Sequence, residues 1–187
     1  RNLHEKGFMK VATGLAIGRE ANPNLAAQAV KQAMQAADIT IASSMLLFLT
    51  SEFARDPMPA LRAAAKAASC TQIMGCSAPG IFTEQDWILD APAAAALVLS
   101  GEVALVRPST KDANQLLLTL AAPNAINTTW MSGAGMSMPG IRFGGVSGDA
   151  IGQGPFSVWQ NGKGVVAGHC EAVLQGVKGV VAAAHGL

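Results

Sequence analysis

Two glycine-rich turns hold the residues with the most chemical potential. The run Gly75-Cys76-Ser77-Ala78-Pro79-Gly80 follows an apolar stretch, and backbone N–H groups exposed at such a turn can hold a carboxylate or another anion. The run Gly144-Gly145-Val146-Ser147-Gly148-Asp149 repeats the logic and adds Asp149, whose carboxylate can pair with an amine. The ligand-binding residues expected from these turns are Gly75, Cys76, Ser77, Gly144, Gly145, Ser147 and Asp149. The glycines serve equally well to let strands bend and pack closely. An aspartate in a turn also commonly caps its own backbone. The sequence leaves both readings open.

Other chemistry is thinly represented. A reactive thiol needs a cationic neighbour or a helix N-terminus; Cys76 has neither nearby in sequence, which favours a packed, inert thiol near the pocket and dispensable for folding. Neither turn carries the Gly-Lys-Ser/Thr of a phosphate-binding loop. Gly133-Ala134-Gly135 lacks the third glycine of a dinucleotide fingerprint, Met138 standing in its place. His4, His169 and His185 have no partners at metal-ligand spacing, and His169 and Cys170 point to opposite faces if they lie on a strand. Ser77, a histidine and Asp149 form no triad by spacing. Trp87, Trp130 and Trp159 are expected in the core or a pocket wall. The expectation is a binding domain and not an enzyme, with no catalytic residues and no metal.

Composition narrows the class. Half of the 187 residues are hydrophobic and 13% are charged, the balance of a chain with a substantial core. The 13 basic and 12 acidic residues give a net charge of +1 without a basic stripe, which argues against nucleic acid as a partner. No apolar run reaches the roughly 18 residues of a membrane span. Cys70, Cys76 and Cys170, an odd count at unpatterned spacing, suit reduced thiols. The expected location is the cytoplasm, with no membrane contact.

The elements that must position the turns follow from periodicity and punctuation. A strand is expected over 10–16. Asn22 and Pro23 start a helix over 25–37, and Pro59 starts a second over 60–68. The continuous apolar run 45–49 reads as a strand buried on both faces, and 72–77 as a strand running into the first turn. Segments 93–100 and 103–107 read as a hairpin around Gly101 and Glu102. Further strands are expected over 115–120, 141–145 and 171–174, with a weak helix or loop over 125–132. Asn161-Gly162 is a strong hairpin signal joining 156–159 to 164–167.

The two halves, about 8–107 and 113–187, follow the same order. Leu47 precedes Gly75 much as Leu117 precedes Gly144, and Leu97-Val98-Leu99-Ser100-Gly101 lies opposite Ala172-Val173-Leu174-Gln175-Gly176. The expected fold is α/β, mixed α+β: two repeated strand–helix–strand–hairpin units around a mixed sheet, helices packed outside.

Taken together, Val11-Ala12-Thr13-Gly14, the run 46–49, Ile73-Met74-Gly75-Cys76-Ser77-Ala78-Pro79-Gly80, Phe143-Gly144-Gly145 with Asp149, Asn161-Gly162-Lys163 leading to Gly168, and Ala184-His185-Gly186 resemble the N-terminal part of the FIST family. The resemblance spans nearly the whole chain and implies a single sensory domain, 1–187, of a bacterial signalling protein. The implied ligand is a small molecule, with amino acids proposed for the family. Some bacterial members bind haem and respond to nitric oxide; here His169 or His185 would be the axial ligand. The family's C-terminal part, absent from this chain, or a downstream signalling protein would be the partner. The other alternative is the N-terminal fragment of a processed hydrolase.

Overall fold

The structure, a computed structural model, describes residues 9–131, 138–160 and 163–182. Strand β2 (Ser44–Thr50) is its axis. Met45, Leu47 and Leu49 are fully buried toward one face, while Leu46 and Phe48 turn to the other, as the two-residue period of a strand requires. Burying one such large apolar side chain stabilises the fold by about 1.5–3 kcal/mol. A strand with two apolar faces must lie between two layers, and this one does.

The first layer is helical. Helices α1 (Asn24–Ala37) and α2 (Met58–Ala68) follow strands β1 (Lys10–Ile17) and β2. The side chain of Asn22 accepts the Asn24 N–H at the start of α1, and Pro57 and Pro59 flank the start of α2. The buried stripe Ala26, Ala29, Val30 and Ala33 lets α1 lie hard against the sheet. A Cβ on Gly14 of β1 would stand 2.0 Å from the Ala29 carbonyl oxygen. Both helices share one core with Met45, Leu47, Leu49, Val98 and Trp159.

The second layer is a six-stranded mixed sheet, and the third a four-stranded one. The remaining strands are β3 (Ile73–Ala78), β4 (Ile81–Phe82), β5 (Trp87–Ile88), β6 (Ala93–Ser100), β7 (Ala104–Val106), β8 (Leu116–Ala121), β9 (Ile141–Val146), β10 (Val158–Gln160), β11 (Gly164–Val166) and β12 (His169–Gln175). The large sheet runs β1-β6-β2-β3-β10-β11 and the small one β7-β12-β8-β9, with β4 and β5 forming a separate ribbon. Met74, Cys76, Leu99 and Val158 meet Leu105, Leu118, Leu120 and Cys170 between the sheets. The Leu105 N–H donates to the buried Ser44 hydroxyl across 2.8 Å and ties the sheets together.

Two features differ from expectation. Segments 93–100 and 103–107 form no hairpin: β6 belongs to the large sheet and β7 to the small one. Gly101, at φ +75°, turns the chain between layers, and Val103 is buried in the inter-sheet core just beyond. The helices are also unequally shared. Both long helices cover the large sheet, and the only α-helix described in the second half is the four-residue α3 (Thr128–Met131).

The strand plan of the halves does run parallel. In β1-β6-β2-β3 and in β7-β12-β8-β9, the second strand is antiparallel to both neighbours and the last pair is parallel. Gly144 pairs with Thr119, and a Cβ there would stand 1.7 Å from the Thr119 oxygen. A Cβ on Gly75 would stand 1.7 Å from the Leu47 oxygen. The structural counterpart of Leu47 is therefore Thr119, two residues beyond Leu117, on the same face of the strand. Among the described residues, no helix is long and apolar enough to cross a membrane.

Candidate functional site

The two glycine-rich turns do meet, but they bind each other. Ser77 and Ser147 are buried, with their hydroxyl oxygens 2.9 Å apart. Ser147 Oγ donates to the Ser77 carbonyl across 2.8 Å. Ser77 Oγ accepts the Ser157 N–H, and the Ser77 N–H donates to the Ser157 carbonyl. No histidine stands among the described partners of Ser77. Both Asp149 oxygens are taken by N–H groups of its own loop, from Gly152 and from Gly154 at 2.8 Å. That is the turn-capping arrangement.

Gly75 and Cys76 are equally enclosed. A Cβ on Gly75 would lie 2.6 Å from the Trp159 indole nitrogen as well as against Leu47, so this glycine permits close packing. Cys76 is 5% exposed in the inter-sheet core, where burial pushes its thiol up to about 11. Its side chain faces the core because Gly75 and Ser77, its neighbours along the strand, face the other way. Cys76 is therefore a core residue and lines none of the pockets described below. Gly144 and Gly145 are exposed on β9, at the edge of the small sheet.

An apolar pocket of about 470 Å³ opens beside the first turn. Its floor is the inner face of the large sheet where the small sheet does not reach: Thr13 from β1, Leu46 and Phe48 from β2, Ala95 and Leu97 from β6. Ala78 and Gly80 form one side. The β4–β5 ribbon forms the roof, with Ile81 paired to Ile88 and Phe82 to Trp87. The Thr83 N–H donates to the Asp86 carbonyl across 2.9 Å and closes its turn. Alternation buries Ile81 and leaves Phe82 78% and Trp87 68% exposed, so of the core or pocket wall expected for Trp87, the core is excluded.

Among the described residues, Glu84 is the one charged residue lining this pocket. It accepts the Thr13 hydroxyl, and that bond, with a backbone N–H, holds its carboxyl below the usual range. The pocket thus offers a broad apolar surface with one ionised carboxylate at its rim. Sequence reading found the turn that leads to it but not Phe48, Phe82, Thr83 or Glu84. The available signal was Ile81-Phe82 and Trp87-Ile88 flanking the polar run Thr83-Glu84-Gln85-Asp86, a short hairpin pattern without Asn-Gly.

A second cluster lies on the outer face of the small sheet. Glu171 accepts from Arg142 Nε and from the Thr119 hydroxyl, both at 2.6 Å, and the Arg142 guanidinium also donates to the Met138 carbonyl. The side chains of Arg142 and Glu171 are 18% and 14% exposed. Burial pushes the Glu171 carboxyl up, but the bonds from Arg142 and Thr119 and the guanidinium charge outweigh it and hold it low. Trp130 meets the exposed His169 edge-on, ring centres 6.1 Å apart.

Among the described residues no histidine lines the apolar pocket; His169 stands beside Trp130, and His185 lies outside the described residues. Among the described residues no group of three or more His, Cys, Asp or Glu gathers at metal-binding distance.

The family model for the FIST N domain matches residues 43–186. The chain belongs to the FIST family. FIST domains are sensory domains of signalling proteins. The match takes in β2 through β12 and both glycine turns, whereas β1 and α1 precede it, although β1 completes the large sheet and the floor of the pocket. No curated protein and no solved structure matched the chain.

Proposed function

We propose that this FIST domain reads a small, largely apolar molecule bearing a cationic or hydrogen-bond-donating group, bound in the pocket under the β4–β5 ribbon. The observation that carries this reading is the pairing of an apolar floor with Glu84 as the only charged lining residue among those described. A concave apolar site with a few placed polar groups is the usual form of a small-ligand site. Thr13 fixes the Glu84 carboxylate, so an ammonium would meet a positioned partner.

An amino acid with an apolar side chain would satisfy the floor and Glu84, but its carboxylate has no cationic partner among the described lining residues. An apolar amine satisfies both, and that is the class we favour. The ribbon roofs the pocket with two exposed aromatic rings, so occupancy would reposition Phe82 and Trp87 at the surface. This supplies a signal for the family's sensory role, since a ligand shifts a conformational balance only through contacts that differ between states. Three free cysteines, two of them buried, suit our placement of the domain in the cytoplasm.

A thermal-shift screen of apolar amines, amino acids and apolar carboxylates tests the assignment. A ligand at 100 times its Kd stabilises by about 2.7 kcal/mol. Stabilisation by amines above their carboxylate counterparts supports the reading. Stabilisation by carboxylates alone contradicts it.

A further inference from the structure

The filled half of the molecule shows what the open half lacks. In the large sheet, β10 pairs antiparallel with β3, placing Trp159 opposite Gly75. The indole lies over the glycine, fully buried, and donates to the Leu47 carbonyl across 3.1 Å. An aromatic ring laid over a strand glycine restores the packing the glycine leaves out. Gly144 stands in the same relation to Thr119 as Gly75 does to Leu47, each leaving the facing carbonyl oxygen within 1.7 Å of its missing Cβ. Yet β9 is an edge strand with no further partner among the described residues, and Gly144 is exposed.

We propose that the β9 edge docks an extended polypeptide segment, which pairs antiparallel with β9 and lays a tryptophan over Gly144, its indole N–H donating to the Thr119 carbonyl. A groove of about 260 Å³ already opens there, walled by Thr119, Ile126, Trp130 and Val146. That volume falls below the roughly 300–1,000 Å³ of small-ligand sites and suits one large side chain. Arg142 beside it is neutralised by Glu171, so the groove does not select an anion. Adding a strand to an exposed edge is an established mode of peptide recognition, main-chain bonds giving affinity and a side-chain pocket giving specificity. The edge at β1 offers no such template, because its Gly14 is covered by α1.

The probe is the chain's own β10 sequence as a free peptide, Pro-Phe-Ser-Val-Trp-Gln, residues 155–160. It is titrated into the whole isotopically labelled chain and followed by amide chemical shifts. Saturable binding is expected, with shifts centred on residues 141–146 and Thr119. A peptide with leucine in place of tryptophan should bind at least about tenfold more weakly, as loss of a tryptophan anchor does. Gly144→Ala should weaken binding similarly; because it also crowds a carbonyl, the leucine peptide carries the test on the unaltered chain. The proposal is overturned by absence of saturable binding, by equal binding of the two peptides, or by shifts at Gly75 and Cys76, which would mean the peptide had replaced β10. A chain that buries β9 in a self-dimer without peptide would overturn it too.

Discussion

Ser77 and Ser147, 70 residues apart in the chain, exchange hydrogen bonds: their hydroxyl oxygens lie 2.9 Å apart, and Ser147 Oγ donates to the Ser77 carbonyl. This buried link fastens the end of β3 to the end of β9 and hence one sheet to the other. Ser147→Ala leaves the Ser77 carbonyl without that donor, and such a loss costs about 1–3 kcal/mol. Urea denaturation should show it, with Ser77→Ala/Ser147→Ala costing less than the sum of the single changes. Strict additivity would show that the hydroxyls act independently.

The thiols give a second expectation. Burial pushes Cys76 up to about 11 and, with the nearby Cys76 and Glu171 charges adding to it, Cys170 to about 12, against an ordinary value of 9.0. The folded state therefore holds these protons more tightly than the unfolded state. Their contribution is intact below pH 9 and is lost as pH rises from 9 toward 11 and 12. A Cys76→Ala/Cys170→Ala variant should show a shallower fall of stability over that range. Cys76→Ser places a hydroxyl in the apolar inter-sheet core and should cost about 1–3 kcal/mol. An unchanged melting midpoint would show the thiol position to be solvated.

Glu171 behaves in the opposite sense. Its folded value is held below the usual carboxylate value of 4.5, so its contribution is present above that pH and is lost on acidification below it. Glu171→Gln removes the negative charge from the bonds to Arg142 and Thr119 and should cost about 1.5–3 kcal/mol at neutral pH, with the gap to the parent closing in acid. A gap that does not narrow at all on acidification below pH 4.5 would assign the effect to shape and not to charge.

Duplication of the strand plan is checked by superposition. Superposing β1-β6-β2-β3 on β7-β12-β8-β9 should bring Gly75 onto Gly144 and Leu47 onto Thr119. A best fit that pairs Leu47 with Leu117 would restore the register suggested by sequence alone.

What the sequence revealed follows from how local each signal was. The β2 run, the proline-started helix α2 and the glycine ends of β3 and β9 are written in consecutive residues, and the structure places them where periodicity put them. The sequence put both turns at one ligand site, and the direct bonding of Ser77 to Ser147 was not legible because the two lie 70 residues apart. The packing of Cys76 was legible in its lack of a basic neighbour, but its distance from the pocket and the self-capping of Asp149 were not, because neighbours from β10 and from residues 152–154 decide them. The hairpin around Gly101 was misjudged because a positive-φ glycine serves equally to reverse a strand or to pass between sheets. Glu84 escaped notice because its role depends on Thr13, 71 residues earlier.

The most direct test of the central claim is a chemical-shift titration of the whole chain with phenethylamine, an apolar amine. The account predicts saturable shifts at Thr13, Phe48, Ala78, Phe82 and Leu97, a change in Trp87 fluorescence, and binding weakened up to about fivefold by Glu84→Gln, as befits an exposed charge pair. Saturable shifts centred instead on residues 144–149, or none at the pocket with any amine from the screen, would contradict it.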